Sequence, residues 1–347
     1  RALFSSASSL SSGLQGAKAL RDWEEYLKRF PNDEGVPEAL FQKALEEIRV
    51  ARKNEALQTL DTLLQRFPQT TRLPDAQFWR GQLLREKGSV KDAEQAFRQV
   101  LDSKPSDDVL RETKFSLAMV LQQDGRENDA AEIFQGLIND PIRAKFTPQQ
   151  FAWLSEHQFN KNDFVNAEKT ARFLTDPSVK EDWRQVGWTL VGRACRARQM
   201  KTEAEAAFRH AAEIALPTRY GAESTLRLAE LLLDRKNPDE AQKFFSLAVE
   251  RCAPEELQGM RIYAYTGLGR AALAAGKQDE AAKFLMTVCL LYRDDQLIPP
   301  VMVETITLLT SLGRAEDADT LRHELCTLYP KSSEAVAIAK QAGEGAH

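Results

Sequence analysis

The sequence has little of what metal-dependent and redox enzymes need. It contains four histidines and four cysteines in 347 residues. No histidine has a second histidine four residues later with a glutamate between them, which a zinc site on one helix requires. No C-x-x-C, G-x-S-x-G or P-loop motif occurs either. We therefore predict no catalytic residues, no metal and no cofactor, and a protein that is not an enzyme.

Strong charge and long apolar runs are also missing. The formal net charge is -4, which excludes the positive field that attracts nucleic acid or an anionic membrane. No apolar run approaches the roughly 18 residues of a spanning helix. We expect neither a nucleic-acid partner nor insertion of this segment into a membrane. Because the chain begins at Arg1 rather than methionine, any targeting signal is expected upstream.

An alanine recurs along the whole chain at a nearly fixed interval. Six steps of 37 residues lead from Ala19 to Ala241, and the series resumes at Ala281 after a three-residue insertion near 252–261. A period of this length indicates stacked supersecondary units. We therefore predict one array, in which each repeat buries its apolar face against its neighbours. The series is Ala19, Ala56, Ala93, Ala130, Ala167, Ala204, Ala241, Ala281 and Ala318.

Within one repeat, glycine and proline mark two helices. When the recurrent alanine is position 20, position 15 is glycine or asparagine in five repeats, and these residues accept the left-handed backbone that ends a helix. Proline at position 1 suits the first turn of a helix, and proline at position 32 stops the second helix. These residues are Gly88, Gly125, Asn162, Gly276 and Gly313, then Pro37, Pro74, Pro148 and Pro299, then Pro31, Pro68, Pro105 and Pro330.

This helix-turn-helix pattern resembles the tetratricopeptide repeat. The family spacing W-x2-L-G-x2-Y, A-x3-F and a closing P is matched, with a valine in the leucine place and a cysteine in the tyrosine place. The matching residues are Trp188, Val191, Gly192, Cys195, Ala204 and Phe208, and for the second half Gly81, Ala93, Phe97 and Pro105. The resemblance covers roughly residues 3–333. It implies an all-α fold, a right-handed α-solenoid of about eight full units plus a degenerate first unit.

The repeat is longer than the family's usual 34 residues. The extra residues follow the closing proline, in PNDEGVP and PQTTRLP, and two second helices end in RFP. In these features the chain resembles the variant of bacterial cell-envelope proteins of the Tol-Pal or outer-membrane assembly type. We divide it into a serine-rich segment over 1–15, a solenoid over 16–333, and a capping helix with a tail over 334–347. A slight break would fall at 251–261.

The resemblance also implies where a partner binds. First helices of such repeats line a concave face, with positions 2, 5, 9 and 12 pointing into it. Position 5 is phenylalanine in three consecutive repeats, which predicts a row of anchors for the apolar face of a partner. The predicted concave-face residues are Phe41, Phe78, Phe115, Phe159, Arg193, Arg196, Tyr263 and Arg270. Two alternatives stay open: the phenylalanines fill space between repeats, and the charges form a solvated surface.

The favoured hypothesis is a non-catalytic scaffold that binds a partner peptide or protein through this groove. The alternative is a structural spacer or assembly subunit of a bacterial cell-envelope complex that acts through its convex face or its ends. A third, the regulatory part of an enzyme, requires a catalytic domain upstream of Arg1. Oligomeric state stays open.

The compartment is not fixed by the sequence. The four cysteines are interpreted as small buried hydrophobic residues rather than disulfides, which favours a reducing compartment. The resemblance to envelope proteins favours the bacterial periplasm or an association with the outer membrane, and we place the protein there slightly ahead of the cytoplasm.

Overall fold

The computed structural model describes residues 2–12 and 16–344, and over these residues the chain is helical and contains no strand. The all-α prediction is confirmed. The chain divides into two compact units, unit 1 over Arg1–Phe146 and unit 2 over Thr147–His347. This division was not predicted from the sequence, and the 251–261 insertion lies inside unit 2, where a short 3-10 helix forms at Glu255–Leu257.

Unit 1 consists of four helical pairs. Its helices are α1 Ala2–Ser12, α2 Gly16–Arg29, α3 Val36–Arg49, α4 Lys53–Arg66, α5 Leu73–Glu86, α6 Val90–Asp102, α7 Asp107–Gln123 and α8 Glu127–Leu137, followed by a 3-10 helix at Pro141–Lys145. The serine-rich start of the chain forms α1, which packs on α2 through an edge-to-face contact of Phe4 and Trp23, with ring centroids 5.0 Å apart.

Unit 2 consists of five helical pairs and one further helix. Its helices are α9 Pro148–Asn160, α10 Phe164–Arg172, α11 Glu181–Ala197, α12 Lys201–Glu213, α13 Arg219–Asp234, α14 Pro238–Arg251, α15 Gln258–Ala274, α16 Gln278–Leu291, α17 Ile298–Ser311, α18 Ala315–Leu328 and α19 Ser333–Glu344. Helix α19 packs against α17 and α18 with Ala335 buried. Of the expected tail, residues 345–347 lie outside the described part.

In each of the eight pairs from α3–α4 to α17–α18, the turn between the two helices is closed by a residue with positive φ. The glycines and asparagine expected at position 15 have φ between 62° and 83°, which confirms that turn. In the other three repeats Ala51, Gln199 and Lys236 hold the same conformation, with φ of 61° to 62°. A side chain disfavours this backbone, so the packing of the two helices, rather than the residue type, fixes these three turns.

The recurrent alanines form the seam between the helices. All nine are at most 1% exposed, because second helices pack closely both on the first helix of their own pair and on that of the next pair within the unit. Opposite them, position 8 is small in every repeat except the last, where it is Ile306. A Cβ atom added at Gly81 would lie 2.7 Å from the ring of the buried Phe97, so the absent side chain admits the phenylalanine.

Candidate functional site

The predicted phenylalanine row of unit 1 is largely buried. Phe41 is 4% exposed and Phe115 is 8% exposed. The Phe115 ring lies 5.7 Å from that of Phe134 and 5.2 Å from that of Phe146. Phe78 is half-buried, and its ring lies 6.1 Å from that of Phe97. The rings of Phe78 and Phe115 thus lie against other phenylalanines. The core interpretation describes Phe41 and Phe115, which are buried, and we do not retain them as partner contacts.

In unit 2 the structure brings two of the predicted residues together. The Arg193 guanidinium on α11 lies over the Phe159 ring on α9, 4.8 Å from its centroid. Arg193 also lies 3.6 Å from a carboxylate oxygen of Glu156 and 3.9 Å from one of Glu223 on α13. Three successive first helices therefore meet around one arginine, which is paired with a ring and with two carboxylates.

The other predicted residues of unit 2 stand in separate contacts. Arg196 Nη1 donates to Glu230 at 2.9 Å, and Arg270 Nη2 donates to Glu304 at 2.9 Å. The hydrogen bonds to Glu304 raise the pKa of Arg270. Tyr263 is 50% exposed. The predicted first-helix charges are thus mostly paired with each other, as the alternative of a solvated mixed-charge surface expects.

A cavity of about 380 Å³ opens beside Glu156, among α9, α11 and α13. We call it the aromatic cavity. It is lined by Gln149, Ala152, Trp153, Glu156, Asp182, Trp183, Val186, Thr218 and Tyr220. Trp153, Trp183 and Tyr220 are each partly exposed. The cavity therefore presents three aromatic side chains and two carboxylates to solvent in one place.

The starts of the three first helices position these side chains. Thr147 and Gln150 form a capping box at the start of α9, which fixes the turn that carries Trp153 one turn later. Helix α13 is capped by Thr218, whose hydroxyl accepts the amide hydrogen of Gly221 at 3.0 Å. Such caps satisfy amide groups that have no partner within the helix, so the helix starts are held in one conformation around the cavity.

Tyr220 and Glu156 join the cavity to Arg193. The Tyr220 hydroxyl donates to Glu156 Oε1 at 3.1 Å. Burial, followed by the charge of Glu156, raises the pKa of Tyr220 to about 12. The phenol therefore stays protonated at neutral pH and keeps donating. Glu156 is held between this donor and Arg193, which positions its carboxylate at the wall of the cavity.

Trp153, Trp183 and Tyr220 were not among the site residues predicted from the sequence. One signal was present: Trp183 and Tyr220 are 37 residues apart, each two residues before position 1 of its repeat. They fall inside helices because α11 begins at Glu181 and α13 at Arg219. A search for aromatic residues at equal positions of neighbouring repeats would have found this pair.

The described residues offer neither a metal-binding cluster nor a membrane-spanning helix. Within 2–12 and 16–344, no group of three or more histidine, cysteine, aspartate or glutamate side chains is placed to hold a metal ion. In the same residues, none of the helices combines the length and the apolar character that crossing a membrane requires.

The paired helices, the left-handed turns and the alanine seams define a helical-repeat protein. Residues 41–108, within unit 1, match the family model described as the tetratricopeptide repeat. This segment therefore carries the tetratricopeptide repeat that the resemblance predicted. The match does not address the 37-residue interval. Tetratricopeptide repeats are generally non-catalytic modules that bind other proteins, so the match implies a protein-interaction scaffold.

Among solved structures, the fold is similar to several repeat proteins at low identity. BtubC from P. vanneervenii is 15% identical, with a TM-score of 0.46, and the similarity covers 68% of this chain and 93% of that one. PilF of Pseudomonas aeruginosa is 14% identical, with a TM-score of 0.41, over 78% and 97% of the two chains. YrrB, described as a TPR protein with an unusual peptide-binding site, is 16% identical, with a TM-score of 0.44, over 60% and 99%. A search of curated protein sequences found no match.

Proposed function

We propose that the chain is a non-catalytic scaffold that binds a protein partner through the first helices of unit 2, at the aromatic cavity and the adjoining Arg193. The observation that supports this proposal is the concentration of partly exposed aromatic side chains beside an arginine there. Tryptophan, tyrosine and arginine are the residues that most often carry the binding energy of interfaces. Chains of stacked repeats use extended surfaces of this kind to bind proteins.

This proposal moves the binding site from unit 1 to unit 2. The phenylalanine row supplied the anchors of the sequence hypothesis, but two of its three members are buried. Phe159 and Arg193 stay in the proposed site, since they adjoin the aromatic cavity. Tyr263 and Arg270 extend the proposed surface along α15, where the tyrosine is half exposed.

Site-specific crosslinking in the source cell tests the proposal. A photoreactive phenylalanine analogue is placed at Gln149, which is exposed and lines the cavity. The matched control carries the analogue at Thr287, which is partly exposed on the second helix α16. We expect a protein adduct at Gln149 and none at Thr287, and identification of the adduct gives the partner.

Binding of that purified partner is then measured for Trp183→Ala. Truncation of an interface tryptophan of this kind costs about 2 kcal/mol or more, which corresponds to about a 30-fold weaker Kd. The circular dichroism of the variant must match that of the parent chain. Equal adducts at both crosslinking positions, or an unchanged Kd for Trp183→Ala, would contradict the proposal.

The second candidate function is assembly through the ends of second helices. Leu290 is 52% exposed, Leu291 is 71% exposed and Leu328 is 44% exposed, on α16 and α18 of consecutive pairs. Exposed apolar residues grouped in this way are typical of association surfaces. Adducts formed from the analogue at Leu291, in the absence of adducts at Gln149, would favour this candidate.

The bacterial cell envelope remains the proposed setting, and the RFP endings support it only by resemblance. In unit 1 these endings have a structural role. The Arg66 guanidinium donates to the carbonyl oxygen of Pro31 in the preceding repeat at 3.2 Å, and it lies 5.2 Å from the centroid of the Phe67 ring. This contact ties neighbouring repeats together and needs no envelope partner.

A further inference from the structure

The aromatic cavity has the composition of a site for a cation. We infer that it binds a positively charged side chain, arginine or lysine, carried by the protein partner; this inference rests on the proposed function, because the partner supplies the ligand group. Trp153, Trp183 and Tyr220 provide aromatic faces, and Glu156 and Asp182 provide negative charge. Aromatic faces attract a cation electrostatically, tryptophan most strongly, and desolvation strengthens the attraction.

The charges around the cavity are complementary to such a group. Among its nine lining residues, all within the described chain, two are carboxylates and none is lysine, arginine or histidine. One arginine next to the lining, Arg193, stacks on Phe159 and is shared between Glu156 and Glu223. The cavity and these contacts together contain the carboxylates of Glu156, Asp182 and Glu223 and the guanidinium of Arg193. His157 stacks on Trp153, with ring centroids 5.5 Å apart, and Arg184 pairs with Glu181. The local excess is negative, which a cationic side chain would neutralise.

The helix N-termini at the cavity do not reverse its preference for a cation. Helix N-termini favour anions through their unpaired amide groups. Here side chains of the chain itself already accept from these amides: Thr147 Oγ1 accepts from Gln150 at 3.2 Å, Thr218 Oγ1 accepts from Gly221 at 3.0 Å, and Asp182 Oδ1 accepts from Trp183 at 2.9 Å. These amide donors are therefore engaged, and Asp182 adds a negative charge at the same end.

The same chemistry occurs elsewhere in unit 2. Arg193 lies 4.8 Å from the centroid of the Phe159 ring, and Arg209 lies 5.5 Å from that of Phe244. The volume of about 380 Å³ falls within the range of pockets that hold small ligands. It therefore has room for the guanidinium or ammonium group of one side chain together with part of its apolar stem, which Ala152 and Val186 would contact.

The first experiment uses the whole chain and a small probe, Nα-acetylarginine amide, with Nα-acetylcitrulline amide as the neutral probe of nearly the same shape. Indole N–H signals of the tryptophans are followed by NMR and assigned with single tryptophan-to-phenylalanine variants. We expect saturable shifts for Trp153 and Trp183 with the arginine probe and with Nα-acetyllysine amide. We expect none with citrulline, and none for Trp188, which does not line the cavity and packs against His210 at 4.7 Å.

A pair of adjacent substitutions tests the role of charge. Asp182→Asn removes a lining carboxylate, and Glu181→Gln removes the neighbouring carboxylate, which pairs with Arg184 at 3.0 Å outside the lining. We expect about tenfold weaker binding of the arginine probe for Asp182→Asn, since a desolvated cation depends on the negative charge beside it. Binding to Glu181→Gln should stay unchanged. Equal shifts with citrulline, no saturable shift, or equal losses for both variants would overturn the inference.

The two proposals fail in distinguishable ways. If the partner depends on Trp183 but the probes do not bind, the scaffold proposal stands and the cation inference fails. If the probes bind but no partner depends on the cavity, the scaffold proposal fails at this site. If both hold, replacing the arginine or lysine of the crosslinked partner segment with citrulline or acetyl-lysine should abolish its binding.

Discussion

At the scale of single residues, a small side chain at position 8 decides how closely the two helices of a pair approach. At Gly192 an added Cβ would lie 2.5 Å from the Phe208 ring, a distance that real Cβ atoms essentially never show. Phe208 is fully buried, and neighbouring side chains leave such rings little room to move in a close-packed interior. The glycine of the family motif is therefore explained by the phenylalanine of the same motif.

We predict that Gly192→Ala destabilises the chain although alanine is the better helix former. Overpacking of a core costs about 1 to 3 kcal/mol, and the gain in helix propensity is at most about 1 kcal/mol, so the net effect is a loss. The matched control is Gly136→Ala on α8, where an added Cβ would meet nothing within 4 Å. Urea denaturation followed by circular dichroism should give a lower midpoint for Gly192→Ala and an equal or higher one for Gly136→Ala. A higher midpoint for both would contradict the packing argument.

Whether the sequence predicts the place of a single residue depends on what determines that place, the residue type or the surrounding side chains. The alanines at position 20 were predicted because only a small residue fits the seam between the helices. The glycines at position 15 were predicted because glycine accepts the left-handed turn most readily, although Ala51, Gln199 and Lys236 also adopt it.

Phe115 was predicted as a concave-face residue, with core packing as the alternative, since a phenylalanine at position 5 suits both a groove and a core. Only the proximity of Phe134 and Phe146 decides between them. Periodicity shows which side chains share one face of a helix, but it does not show which residues pack on that face.

At the scale of helices, unit 2 contains a buried polar link that the repeat pattern did not predict. Gln185 is fully buried at position 1 of its repeat, where four other repeats have proline. Its Nε2 donates to the carbonyl oxygens of Ala211 at 3.2 Å and Ile214 at 2.8 Å, and its Oε1 accepts from the Thr218 hydroxyl at 2.5 Å. Gln185 thus pairs with carbonyl groups at the end of α12 and holds the capping hydroxyl of α13 in place.

We predict that Gln185→Leu lowers the free energy of unfolding by about 1 to 3 kcal/mol, because it leaves buried acceptors and a hydroxyl without their partner. Gln149→Leu, at the exposed start of α9, should change it by no more than about 0.5 kcal/mol. Denaturation curves measure the change in the free energy of unfolding, and hydrogen exchange shows which helix is affected. Faster exchange should be concentrated at the first amides of α13. If both variants have the same stability, the link is not structural.

The starts of the helices were also predicted only in part from the sequence. Proline at position 1 correctly predicted the starts of α3, α5, α9 and α17. Helices α11 and α13 lack that proline and begin three to four residues before position 1. Their extra turn carries Trp183 and Tyr220 to the aromatic cavity. The candidate site therefore depends on a departure from the repeat, which a search for the repeat does not detect.

At the scale of the whole molecule, stability is distributed along the chain in local contacts. Buried side chains of unit 1 group around α3, α4 and α5, with Leu60 fully buried among Val36, Phe41 and Ala76. Other buried groups in unit 2 centre on α11 to α15 and on α16 to α18. In a repeat protein each repeat contacts only its neighbours, so stability is approximately a sum of repeat and interface terms.

This distribution predicts that damage to the core stays local. Leu60→Ala should weaken its repeat by about 2 to 5 kcal/mol, and native-state hydrogen exchange reports such local opening. We expect amides of α3 to α5 to exchange at least about 30-fold faster, while protection in α13 to α16 of unit 2 stays as in the parent chain. Gln65→Ala, at an exposed position of α4, controls for the effect of substitution on the helix itself. A uniform loss of protection across both units would mean that the chain unfolds as one cooperative body, and the nearest-neighbour description of its stability would then be wrong.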